Sequence, residues 1–181
     1  MLCVFDSEEV GSSSVQGAAS NLLIDLLDRI CGSLKLNLKQ MLAQSFMVSA
    51  DNAHALHPNH PELADPTNAP TLGGGIVLKF NASQRYCTDG VSAALFRKVC
   101  AGAEVPVQTY CNRADIPGGS TLGNISLGHV SVPTADIGLP QLAMHSCYET
   151  AAVADAIYLE KAMEAYYGSS LEIRDNYILI Q

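Results

Sequence analysis

Glu8 and Glu9 stand side by side after the apolar run Leu2-Cys3-Val4-Phe5, within Asp6-Ser7-Glu8-Glu9-Val10-Gly11-Ser12. A strand ending in two carboxylates can give one to a metal ion and leave the other to move a proton, the division of labour in metal-assisted hydrolysis. The plain alternative is an acidic loop entering a helix, where negative charge suits the N-terminal end of the helix dipole. Asp51 follows an expected short buried strand, Phe46-Met47-Val48-Ser49-Ala50, and His145 lies in the loop after another expected strand, Val132 to Ile137. Loops after strands gather at one edge of an α/β sheet, where ligands collect. Carboxylates with an imidazole are suitable zinc ligands, so Glu9, Asp51 and His145 form the candidate trio.

Other polar residues offer less. His54, His57 and His60 are spaced by three, but Pro58 and Pro61 break any helix that would align them, so His57 and His60 read as loop residues. His129 ends an expected helix, where an imidazole suits the terminal carbonyls. Gly73-Gly74-Gly75 precedes a strand and reads as a flexible turn, without the strand-to-helix geometry of a phosphate loop. Gly118-Gly119-Ser120-Thr121 leads into a helix, as backbone donors for a substrate or as a tight turn with a cap. Cys147 is too close in sequence to His145 to face it as a nucleophile pair.

The elements that must position these residues follow from periodicity. Residues 2–5 read as a buried strand with no turn or cap before it, as in a chain that lacks its beginning. Ser13 to Gln16 has capping-box spacing, and Leu22, Leu23, Leu26, Leu27 and Ile30 continue a helix to about Cys31. A short helix over 35–44, strands at Phe46–Ala50 and Ile76–Phe80, and a Pro- and Gly-rich loop over 57–75 come next. Thr88 is the expected cap of a helix through Val91, Leu95 and Val99. Then come a strand at Val105–Tyr110, a helix after Thr121, a strand at Val132–Ile137, a loop from Leu139 to Ser146 and a helix from Glu149 to Tyr167. The tail 171–181 suggests one or two edge strands around Arg174-Asp175-Asn176. This alternation predicts an α/β fold, a three-layer α/β/α sandwich with helices on both faces of a mixed sheet, in a single domain over 1–181.

Bulk properties narrow the partners. The chain has 181 residues, 48% of them hydrophobic, enough for one domain with a substantial core. A net charge of −8 with 10 Lys plus Arg disfavours nucleic acid and anionic membranes, leaving small or peptide-like partners. Six cysteines without metal-site spacing, and no signal-like N-terminus, predict a reduced, cytoplasmic protein with no transmembrane segment.

Several segments, in order, carry a resemblance: Asp6 to Ser12; Ser49-Ala50-Asp51-Asn52-Ala53-His54-Ala55-Leu56-His57-Pro58-Asn59; Lys79-Phe80-Asn81 with Gln84-Arg85-Tyr86; Arg113 to Thr121; and Pro140-Gln141-Leu142-Ala143-Met144-His145-Ser146. Together they resemble the aspartyl aminopeptidase family of zinc metallopeptidases, over about Cys3 to Tyr167. The resemblance implies a zinc-aminopeptidase-like fold and peptide hydrolysis at two zinc ions, with cobalt or manganese as alternatives. It implies Glu8 as general base, Glu9 and His145 on one metal, Asp51 on the other, and His54, Lys79 and Tyr86 at the substrate. A Lys there would favour peptides with an acidic first residue by charge pairing.

Family members also carry a metal-binding His and a bridging Asp ahead of the Glu-Glu pair, together with a dimerisation insert. The sequence therefore reads as the C-terminal portion of a catalytic domain, with 171–181 as an extra tail. By itself it is expected to bind metal weakly, at a single site, and to show little or no activity. The complete protein is expected to be a homo-oligomer. Asp115 matches a different family position and does not replace the bridging Asp. A non-catalytic fragment or interaction subunit of the same fold is the competing expectation.

Overall fold

In chain order the elements are α1 (Leu22–Ser33), α2 (Leu38–Ala43), β1 (Met47–Ala50), β2 (Ala53–His54), β3 (Ile76–Phe80), α3 (Gly90–Gly102), β4 (Val107–Cys111), α4 (Leu122–Ser126), β5 (Thr134–Gly138), β6 (Pro140–Leu142), β7 (Thr150–Ala151), α5 (Val153–Gly168), β8 (Leu171–Arg174) and β9 (Tyr177–Ile180). They belong to a computed structural model that describes residues 1–174 and 177–181. The main sheet has the order β1-β5-β3-β4, with β1 parallel to β5, β3 parallel to β4, and β3 antiparallel to β5. A small sheet runs β2-β6-β7, and β8 pairs antiparallel with β9.

Strand alternation decides what each face of the main sheet carries. Ile76 and Leu78 of β3 join Ala135 and Ile137 of β5 in one buried cluster, closed by Ala93, Phe96 and Cys100 of α3 and Ala162 of α5. Residues one step out of phase, Val77 and Lys79 on β3 and Asp136 on β5, must face the other way. Val77 packs there with Ala53, Tyr86 and Tyr110. On that side α1 contributes Leu23 to a third cluster with Val130 and Val132, against which Met47 of β1 packs. The mixed sheet between helical layers is the three-layer arrangement expected from sequence.

Several local expectations are corrected. Residues 2–5 form no strand: Leu2 and Val4 are 73% and 82% exposed. An apolar run becomes a strand only where a neighbour takes its backbone hydrogen bonds, and no described strand pairs with it. Ser13 to Gln16 does not open a helix, because Gly17 N–H to Ser14 O and Ala19 N–H to Ser12 O fold these residues into turns. The helix starts only at Leu22, whose N–H donates to Ser20 Oγ at 3.1 Å. Asp89, not Thr88, caps α3, in a reciprocal box with Ser92. Thr88 is instead tied to β5, its hydroxyl accepting from Asp136 N at 2.8 Å. The segment after Leu139 holds β6, and pairing of Thr150 and Ala151 with β6 delays the last helix to Val153. Asp175 and Asn176, the centre of the expected tail turn, lie outside the described residues.

The Gly73–Gly75 turn is held rather than loose. Asp155, fully buried on α5, accepts from Gly73 N at 2.7 Å and Gly75 N at 2.9 Å. This carboxylate ties the long 57–75 loop to the helix layer at the point where β3 begins. Gly138 has a different reason to be glycine: a Cβ there would stand 2.0 Å from the Asp51 carbonyl. Gly138→Ala must therefore push the end of β1 away from β5. Overpacking of this kind costs about 1–3 kcal/mol, and backbone contact places the variant at the upper end. A urea midpoint unchanged from wild type would show that the strands part without cost.

Candidate functional site

Glu8 and Glu9 sit in a single 3₁₀ turn, Glu8–Val10, framed by left-handed residues: Ser7 at φ 63°, Gly11 at φ 97° and Ser12 at φ 60°. Ser12 N–H to Ser7 O at 2.8 Å and Gly11 N–H to Glu8 O at 2.9 Å close the turn. Asp51 follows β1, and its N–H donates to Ile137 O at 3.0 Å, extending the β1–β5 pairing by one bond. His54 lies on β2, opposite Gln141 of β6, and His145 lies in the loop between β6 and β7. Lys79 is the last residue but one of β3, and the bridge between Phe80 and Cys87 brings Tyr86 back beside it.

These separate origins converge. Glu8, Glu9, Asp51, His54, Lys79, Tyr86 and His145 line one cavity of about 570 Å³. Glu9 Oε2 lies 2.9 Å from His145 Nε2 on the open rim. Asp51 Oδ2 lies 3.5 Å from the Lys79 ammonium, which also donates to the Asp51 carbonyl at 2.8 Å. His57 and His60 lie side by side in the loop with their rings tilted at 41°, and His60 is paired to Glu62, as bland loop residues would. Asp115 pairs with Arg113 on the surface.

Asp136 lies outside every motif that the sequence offers. It is fully buried on β5, 3.3 Å from Lys79 Nζ, and it also takes hydrogen bonds from the Thr121 hydroxyl and Cys87 N. Lys79 itself is 1% exposed, its ammonium 5.3 Å from the centre of the Tyr86 ring. The signal for this pair is present in the sequence as one lone charge in each of two otherwise buried strands, Ile76-Val77-Leu78-Lys79-Phe80 and Thr134-Ala135-Asp136-Ile137-Gly138. An unpaired buried charge is costly, so each of these charges calls for a buried partner.

The field in the cavity suits proton transfer. Burial, with the carboxylates of Asp51 and Glu9 nearby, raises the Glu8 carboxyl above its usual range, against the pull of Lys79 and His145. Burial and the neighbouring His145 lower the His54 imidazole, favouring its neutral form. Burial raises the Tyr86 phenol.

Among the described residues, no three of His, Cys, Asp and Glu meet closely enough to enclose an ion. The donors nonetheless fit a divalent cation in kind. Glu9 and His145 bring a carboxylate oxygen and an imidazole nitrogen together, the donor types zinc takes, and Asp51 faces the same space.

Fold and site together define an α/β domain with a carboxylate- and imidazole-lined cavity beside its sheet. Residues 1–167 match the family described as Aminopeptidase I zinc metalloprotease (M18), and the chain belongs to that family. It is 46% identical to the "Probable M18 family aminopeptidase 2" of Clostridium novyi, over 92% of this chain and 39% of that protein. It is 42% identical to the "Probable aspartyl aminopeptidase" of Ricinus communis, over 92% of this chain and 35% of that protein. Its fold superposes on the mApe1 dodecamer structure from S. cerevisiae with a TM-score of 0.80 and 27% identity, covering 91% of this chain and 36% of that one. The chain thus spans about 39% of the length of the Clostridium relative.

Proposed function

We propose that this chain is the C-terminal portion of the catalytic domain of a zinc aminopeptidase that releases acidic first residues from peptides. The observation that carries the reading is the convergence of Glu8, Glu9, Asp51 and His145 on one cavity in a member of a zinc metalloprotease family. Glu9 and His145 would hold one ion and Asp51 a second. Zinc so held supplies Lewis acidity toward water and toward a peptide carbonyl.

The chain's own groups do the rest. Glu8, held above the usual carboxylate range, takes the proton of the attacking water and returns it to the departing amine. His54 and Tyr86 wall the substrate space. Lys79 lines the cavity floor with its ammonium shared between Asp51 and Asp136, and the preference for an acidic first residue is taken from the family resemblance at this position. The name of the Ricinus relative, an aspartyl aminopeptidase, agrees with that preference.

The complete protein is a homo-oligomer in this reading, by likeness to the mApe1 dodecamer. Six free cysteines suit the reducing cytoplasm. No described helix is long and apolar enough to cross a membrane.

The test is release of N-terminal Asp or Glu from short peptides with zinc or cobalt present. It compares the chain alone with the chain joined in cis to the part of the Clostridium relative it does not span. Activity is expected in the joined form, with little in the chain alone. A joined, folded, zinc-loaded protein with no activity on any peptide defeats the proposal.

A further inference from the structure

The turn that carries His145 is built against backbone preference. β6 and β7 pair antiparallel, Gln141 opposite Ala151 and Leu142 opposite Thr150, so residues 143–149 form a hairpin loop. Within it Ala143 and His145 are both left-handed, at φ 55° and 68°. That conformation costs a residue with a Cβ roughly 1–2 kcal/mol, so other bonds must hold it. Ser146 N–H closes on Ala143 O at 3.0 Å. The His145 N–H reaches across the loop to Glu149 Oε1 at 2.6 Å. A carboxylate acceptor makes this a short, strong, charge-assisted bond. Glu149 immediately precedes β7, so its backbone is anchored by the hairpin ladder, and it lines the same cavity. At the other end of the histidine, Nε2 meets Glu9.

We propose that Glu149 is a positioning residue for the zinc-holding pair: by accepting the His145 N–H it locks the left-handed turn and aims the imidazole at Glu9. This rests on the reading of Glu9 and His145 as zinc ligands. Groups one step behind a metal ligand fix its orientation, and losing them weakens metal binding by roughly 10–100-fold. Glu149 acts on the ligand's backbone rather than on its ring, so an uncharged acceptor of the same reach does the same work.

The experiment is zinc titration by calorimetry on the full chain, with hydrogen exchange of the His145 amide, for wild type, Glu149→Ala and Glu149→Gln. Glu149→Ala is expected to lose roughly 10–100-fold in zinc affinity and to exchange the His145 amide faster. Glu149→Gln, whose side-chain carbonyl still accepts the N–H, is expected to recover most of both. Wild-type affinity in Glu149→Ala overturns the proposal and leaves the zinc reading standing. Equal loss in Glu149→Gln and Glu149→Ala also overturns it, since the charge and not the acceptor would then matter. A wild-type chain that takes up no zinc defeats the zinc reading and this proposal together. Should Glu149→Ala fail to fold, amide exchange in Glu149→Gln decides: protection like wild type supports the positioning role, and lost protection removes it.

Discussion

Glu8→Gln is expected to leave zinc uptake unchanged and to cut turnover by about 10²–10⁴-fold, the usual contribution of a positioned general base. The substitution keeps the shape of the side chain and removes its ability to carry a proton. It leaves Glu9 and His145, which touch at 2.9 Å, untouched. The measurement is kcat on Asp- and Glu-initiated peptides in the joined form, with metal content determined on the same sample. Glu9→Gln is the matched control. Adjacent in sequence and equal in chemistry, it is expected to lose metal as well as rate, because its carboxylate is the one at the imidazole. A Glu8→Gln protein that keeps more than about a tenth of the rate would place proton transfer elsewhere in the cavity.

The contrast between these neighbours comes from the local backbone. Left-handed Ser7 and Gly11 wind the pair into one 3₁₀ turn, so the side chains leave in different directions. Glu9 goes to the exposed rim with His145, and Glu8 lies deeper, where burial and two carboxylates act on it. The strand end expected from sequence would also divide their roles, since alternation separates successive side chains. The separation is present, and its cause is the turn.

Where a segment's own pattern decides its structure, sequence was sufficient. Ile76–Phe80 is the strand expected, and Phe46–Ala50 is β1 within one residue, because short apolar runs between turn residues have one way to be buried. Helix α3 follows its apolar spacing, although its cap moves one residue to Asp89. Leu2–Phe5 has the same local pattern without the outcome, since strand formation depends on a partner that the segment cannot specify. Local spacing places Glu149 at the start of a helix on similar grounds, whereas pairing of the next two residues with β6 sets it against His145. The seven residues that the motifs single out line one cavity. Asp136 belongs to no motif, and burial of its charge follows from β5 lying inside the sheet between β1 and β3, a position the segment itself does not specify.

That charge carries the largest stability effect expected in the molecule. Lys79 and Asp136 are 1% and 0% exposed and 3.3 Å apart, so removing one partner strands the other's charge in the interior. Breaking such a pair costs about 3–5 kcal/mol, and Lys79→Met should lower Tm by roughly 6–20 °C for a domain of this size. Asp136→Leu should cost a similar amount, and it also leaves the Thr121 hydroxyl and Cys87 N–H without their acceptor. The double variant, Lys79→Met with Asp136→Leu, strands neither charge. It is expected to recover part of either single loss, because an apolar pair in place of a buried ion pair leaves neither charge uncompensated, although the Thr121 and Cys87 donors stay without their acceptor. Additive losses in urea unfolding would mean that the two groups are held independently. Recovery of stability without recovery of zinc affinity would separate the fold from the site. Lys79 also holds the Asp51 carbonyl at 2.8 Å, so an apolar pair can refill the interior while leaving the end of β1 unanchored at the cavity wall.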